Sequence, residues 1–172
     1  MQNNKEMMRM WEMNVKDIRK KLEESFEALT FEELNEKPAP GEWSIAQIVL
    51  HLAGAETRFM KLALEAAESQ QVMEGEEVDL SVFEDKNKKL KAPIDPPEDP
   101  QTREQLLTAL HTSRRLTDQF LEGHTEDSLS GKTMDHHRFG IMPVWQVLEL
   151  LGRHEERHIH QIQETKNKIS MK

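Results

Sequence analysis

Apolar residues recur along the chain in four long stretches with the period of an α-helix. Met8, Trp11, Val15, Ile18, Leu22, Ser25 and Leu29 alternate spacings of three and four, which puts them on one face. They predict a first helix from about Asn4 to Leu29. Pro38, Pro40 and Gly41 then enforce a loop. Behind a Ser44-x-x-Gln47 capping box, Ile45, Ile48, Leu52, Ala55, Phe59, Leu62, Ala63 and Ala66 share the next face. They predict a second helix to about Glu74. From Gly75 to Gln101 the periodicity fails, and four prolines sit among acids and a short run of lysines. Such a run reads as a solvated loop. A connection this long can carry the chain back along a bundle, making the helices on either side of it parallel.

The third helix opens on the capping pair Thr102 and Gln105, shows Leu106, Leu110, Ser113, Thr117 and Phe120 on one face, and stops near Gly123. A polar stretch with Gly131 and Gly140 follows. Pro143 suits the first turn of the fourth helix, whose core face is Val144, Val147, Leu148, Leu151, Ile159 and Ile162, to about Lys168. No strand alternation, internal repeat or low-complexity tract interrupts this pattern. The expectation is an all-α protein, a four-helix bundle.

Composition removes several kinds of chemistry. With no Cys there are no disulfides, thiolate metal sites or cysteine nucleophile, so any metal must take nitrogen and oxygen ligands. A net charge of −9 repels phosphate, and no basic cluster with interleaved aromatics occurs, so no nucleic-acid partner is expected. No apolar run reaches the roughly 18 residues of a membrane span. Met1 to Met10 has no signal-peptide core. The expectation is a soluble cytoplasmic protein that does not engage a membrane.

The 8 histidines are the informative residues. At 100° per residue, His158 lies about 40° and His154 about 80° from the apolar centre of the fourth helix, one turn apart. His51 lies about 80° from the centre of the second helix, at the stripe edge, where a side chain faces a seam. His160 and His111 point to solvent, and spacing says nothing for His124, His136 and His137. His51, His154 and His158 can therefore converge as three imidazoles on one divalent ion, leaving a coordination position open. Half-buried histidines that are merely hydrogen-bonded are the alternative. Glu155 projects about 20° from the apolar centre. It suits either a base, an acceptor behind a ligating histidine, or a buried ion pair with an arginine such as Arg153, Arg157 or Arg58. His154-Glu155-x-x-His158 formally matches a zinc-protease motif, but the candidate third ligand lies far upstream in a bundle pattern. Trp43, Gln47 and Trp145 are candidate pocket walls; plain packing is preferred for both tryptophans, and a capping role remains open for Gln47.

Two segments carry a family likeness. Gly41-Glu42-Trp43-Ser44-Ile45-Ala46-Gln47-Ile48-Val49-Leu50-His51-Leu52 resembles the start of helix two in the DinB/YfiT-like superfamily of metalloenzymes, unrelated to the DNA polymerase of similar name. His154-Glu155-Glu156-Arg157-His158-Ile159-His160-Gln161-Ile162 resembles that family's helix-four signature. The resemblance implies one domain over 1–172, an up-down-down-up bundle with an insertion at about 75–101, and a divalent metal, zinc or nickel, held by His51, His154 and His158. It implies a small-molecule substrate, and homodimers are common in the family. Its better-understood members transfer or isomerise with a small thiol such as bacillithiol; others are hydrolases or stress-induced proteins. Many relatives carry adjacent histidines where this chain has Arg157 before His158, so the metal transfers more safely than the reaction.

Three functions follow as expectations. The first is an enzyme transferring a low-molecular-weight thiol of the bacillithiol type to an electrophile, with the metal favouring the thiolate. The second is a metal-dependent hydrolase using a metal-bound hydroxide, with Glu155 or another carboxylate as base. The third is a non-catalytic, stress-related bundle with a structural metal or none.

Overall fold

The computed structural model describes residues 3–171. Four long helices form the bundle: α1 (Asn3–Phe26), α3 (Ile45–Glu68), α4 (Arg103–Gly123) and α6 (Val147–Ser170). Two short helices, α2 (Phe31–Asn35) and α5 (Glu126–Leu129), cover its ends. The order is up-down-down-up. Lys166 reaches the Ser25 carbonyl and Gly152 lies against Trp11, so α1 and α6 run parallel. Leu106 and Leu110 share a core with Ile45 and Ile48, whereas Phe120 shares one with Phe59 and Met60, so α3 and α4 also run parallel. The long connection over 75–101 makes the return, as its length allows.

The core is in two parts. One holds Met8, Trp11, Phe59, Met60, Phe120 and Leu148; the other holds Leu22, Phe26, Ile45, Leu52, Leu110 and Ile162. Between them every long helix contributes to a buried polar layer. Arg19 of α1 donates to Glu56 of α3 at 2.7 Å and to Glu155 of α6 at 2.8 Å. From α4, Ser113, Arg114 and Thr117 donate to Glu56 at 2.9, 2.8 and 2.5 Å. Charges this deep are tolerated because each carboxylate oxygen accepts from at least one donor.

Three helix boundaries and one loop differ from the sequence expectation. Helix one stops at Phe26, because the Thr30–Glu33 capping box starts α2 immediately afterwards. Helix two stops at Glu68, not Glu74: the polar run after it offers no core face, and Met73 N–H instead donates to the Gly131 carbonyl at 2.8 Å. The stretch read as structureless before helix four contains an antiparallel hairpin, β1 (Thr133–His136) with β2 (Gly140–Pro143), Met134 facing Met142. At four residues per strand its alternation is too short to register, but Gly140, at φ +73, marks the turn. Pro143 therefore ends a strand, and a 3-10 turn (Val144–Gln146) leads into α6.

Gly152 sets the approach of α1 to α6. A Cβ there would stand 2.7 Å from the Trp11 ring and 3.3 Å from Ile18. Helix propensity alone favours alanine over glycine by about 1 kcal/mol. Overpacking a ring in a closed core costs about 1–3 kcal/mol and wins. Gly152→Ala is expected to lower the urea midpoint; a raised midpoint would show that the helices part freely.

Candidate metal centre

The Ser44 N-cap begins α3. Gln47 N–H donates to Ser44 Oγ at 3.1 Å, and Ser44 N–H donates to Gln47 Oε1 at 3.0 Å. That reciprocal cap fixes the helical phase, and His51 follows on the second turn, facing α6. On α6, His154 and His158 occupy neighbouring turns of the face that meets α3. The antiparallel packing of α3 on α6 then brings the three rings together, with centroids 5.0, 4.7 and 4.7 Å apart.

Their nitrogens suit one ion. One ligand atom from each histidine lies within 4.8 Å of the others. His51 Nε2 and His154 Nε2 are 3.2 Å apart. Two nitrogens at zinc-ligand distance from a shared tetrahedral ion would be about 3.3 Å apart. His158 Nδ1 donates to Gln161 Oε1 at 2.6 Å, which leaves the Nε2 lone pair free. His51 Nδ1 is buried without a partner. Burial pushes His51 down to about 3, helped by His158 and Arg58. Burial also pushes His158 down to about 4, the Gln161 bond opposing and Arg157 assisting. His154 is driven well below its ordinary value by burial, then by His158 and His51. All three are neutral near pH 7, the form that ligates a metal. The residues fit a divalent ion.

Aromatic rings wall the triad. Trp43 lies 5.0 Å from His51, and Phe59 and Phe83 each lie 5.6 Å from His154. Phe83 comes from a 3-10 turn (Ser81–Glu84) in the long connection. Arg157 pins that segment by donating to the carbonyls of Val82, Phe83, Asp85 and Lys88. The connection thus lies beside the triad, and all three histidines line a cavity of about 880 Å³.

Several expectations are corrected here. Glu155 does not line the cavity. Both its oxygens accept from Arg19, at 2.8 and 3.1 Å, and Arg114 lies 3.5 Å away. The buried ion pair is present, but its partner is Arg19 rather than Arg153, Arg157 or Arg58, and this geometry gives no support to a base or a histidine acceptor at Glu155. Trp43 is a cavity wall, whereas Trp145 is buried core and Gln47 is the α3 cap. His160 and His111 are exposed, as helical phase indicates. His136 and His137, for which spacing gave no signal, stack at 4.3 Å and line the cavity from the hairpin. The lysine run over 86–91 is exposed at the cavity mouth. Sequence reading also missed Gln161 as the partner of His158, although its i+3 spacing on one helix could have signalled it.

Among the described residues, no helix is long and apolar enough to cross a membrane. The fold resembles that of YfiT from Bacillus subtilis, with a TM-score of 0.65 at 20% identity over 96% of this chain and 89% of that one. That protein is described as a probable metal-dependent hydrolase with an unusual four-helix bundle topology. The chain is 32% identical over 143 residues to the uncharacterized protein YuaE of Bacillus subtilis strain 168, covering 82% of this chain and 88% of YuaE. The DinB superfamily model matches residues 15–162, a span that includes all three histidines of the triad. The chain belongs to the DinB superfamily.

Proposed function

We propose that the protein is a divalent-metal-dependent enzyme that makes an external nucleophile reactive at His51, His154 and His158. The observation that carries this is the convergence of three neutral imidazoles, without a fourth histidine or carboxylate ligand in the cluster among the described residues, on the wall of a large cavity. A structural site closes its coordination with four protein ligands, whereas three leave room for chemistry. A divalent ion supplies a Lewis acid, which favours the ionised form of a thiol or water at the open position near neutral pH. The chain's own residues do the rest. Gln161 orients His158; Trp43, Phe59 and Phe83 exclude water from the triad, which strengthens every polar interaction inside.

A small thiol of the bacillithiol type is the first reading for the nucleophile. Glu155 is committed to Arg19, and a thiol of ordinary pKa about 8.5 needs little help to ionise. About 880 Å³ lies in the upper part of the range for small-molecule pockets, leaving room for a thiol beside a substrate. Hydrolysis is the second reading, favoured by the description of YfiT. The test assays zinc- and nickel-loaded protein on an aryl ester and on an alkylating electrophile, with and without bacillithiol. Turnover of the electrophile only with the thiol supports transfer. Ester cleavage without it supports hydrolysis. Neither activity, from fully loaded protein, overturns the enzyme reading for these substrate classes.

A further inference from the structure

The chain is acidic, yet the cavity is not. Nine of its lining residues are Lys or Arg and five are Asp or Glu, against a net charge of −9 for the whole protein. Two of the acids are already taken, Glu84 by Arg153 and Glu42 by Lys168. Arg157 and Arg138 are spent on backbone carbonyls of the long connection. Arg58 is different. It follows His51 by two turns of α3, lines the same cavity and is half-buried, and it has no hydrogen bond or ion pair within the described residues. No carboxylate offsets the burial of its charge. Its guanidinium folds back along the helix over Gly54, where a Cβ would stand 3.3 Å from Nη1. That direction is toward the His51 turn. The guanidinium carries five donors that no protein group takes within the described residues, so they are available to a ligand in the cavity.

We propose that Arg58 receives an anionic group, a carboxylate or a phosphate, on the small molecule that reacts at the triad, with Lys86, Lys88, Lys89 and Lys91 drawing that anion to the cavity mouth. The planar fork of Arg58 matches either oxyanion through two parallel hydrogen bonds. Arg58 shares the cavity with all three histidines, so an anion held by Arg58 lies in the same cavity as the triad without occupying it. Gly54 belongs to the same device, because it leaves the space through which the guanidinium reaches. The inference names the ligand class for the site described under Proposed function and rests on that reading for the reaction, though not for the binding.

The test uses the full chain stripped of metal, so that no ion can bind the anion itself. Sodium succinate and, separately, sodium phosphate are titrated in at constant ionic strength, followed by calorimetry and by the Arg58 Nε–H resonance. Saturable binding is expected, weakened about tenfold or more by Arg58→Gln, as for loss of a charged hydrogen-bonding group. Gly54→Ala should weaken it too while the urea midpoint holds or rises, since alanine favours the helix. Lys20→Gln, equal in charge change but outside the cavity lining, should leave it unaltered. Tighter binding of succinate identifies a carboxylate ligand, and tighter binding of phosphate identifies a phosphate. No binding of either anion, equal affinity in Arg58→Gln, or an equal loss in Lys20→Gln overturns the inference. Zinc uptake by the same Arg58→Gln protein separates the two readings. Retained zinc with lost anion binding supports the inference, whereas Arg58-dependent anion binding in a protein that never takes up metal sinks the metalloenzyme alone.

Discussion

Protein purified without an affinity tag is expected to carry near-stoichiometric zinc or nickel, and the variant His51→Ala, His154→Ala, His158→Ala none. Elemental analysis is the measurement. The expectation follows from geometry. The three rings are held neutral and their donor atoms lie within 4.8 Å of one another, so little reorganisation is needed before an ion binds. Without an ion the Nε2 atoms of His51 and His154 face each other at 3.2 Å, where one lone pair finds no second donor, and a bound ion accepts from both. Binding should therefore stabilise the fold. At a free metal concentration 100 times the dissociation constant the gain is about 2.7 kcal/mol, visible as a raised thermal midpoint. The triple variant should show no such rise. Its own metal-free stability should be close to or above that of the metal-free wild type, because unsatisfied nitrogens have been removed. Gln161→Ala is a finer probe. It leaves all three ligands but frees the His158 ring, and loss of such a partner weakens metal binding by about 10–100-fold. Absence of metal from the wild type, with no uptake on adding zinc or nickel, would end the metalloenzyme reading.

The largest loss of stability is expected from Glu56→Gln. Glu56 is fully buried and accepts from Arg19, Ser113, Arg114 and Thr117 together. Removing its charge leaves two guanidinium groups facing Glu155 alone. Breaking a buried ion pair on one side costs about 3–5 kcal/mol, a large part of the 5–15 kcal/mol that holds a typical domain together. Urea unfolding of Glu56→Gln should show that loss, and a midpoint within error of the wild type would mean the layer is energetically idle. The same group predicts acid sensitivity. Burial by itself would raise the Glu56 pKa, but Arg114, Arg19 and the Thr117 hydroxyl together hold it below its ordinary 4.5. A carboxyl depressed in the folded state contributes stability that is complete above its unfolded pKa. That contribution is lost as pH falls from about 4.5 through the lower folded value. The wild type should thus lose stability below about pH 4.5 more steeply than Glu56→Gln, which has already lost the term.

Each helix of the bundle was legible because burial of one face imposes a 3.6-residue period, and the caps at Ser44 and Thr102 are local hydrogen-bond chemistry. The same period placed His154 and His158 on one side of their helix and turned His160 and His111 outward. The sequence alone therefore determined which histidines were available to a shared site, and the family likeness named the set. It could not determine what those helices would bring near one another. Glu155 was visibly inward, yet its partner Arg19 lies 136 positions away, and only the parallel packing of α1 on α6 makes them neighbours. Trp43 became a wall of the site, and His136 joined it, because loop and hairpin close over the α3–α6 seam. Arg58 shows the limit most plainly. In sequence it is one more arginine on a polar flank of α3. Only the tertiary structure leaves it half-buried on the cavity wall it shares with the triad, without an acceptor among the described residues, because absence of a partner is a property of every element packed around a side chain and not of the helix that carries it.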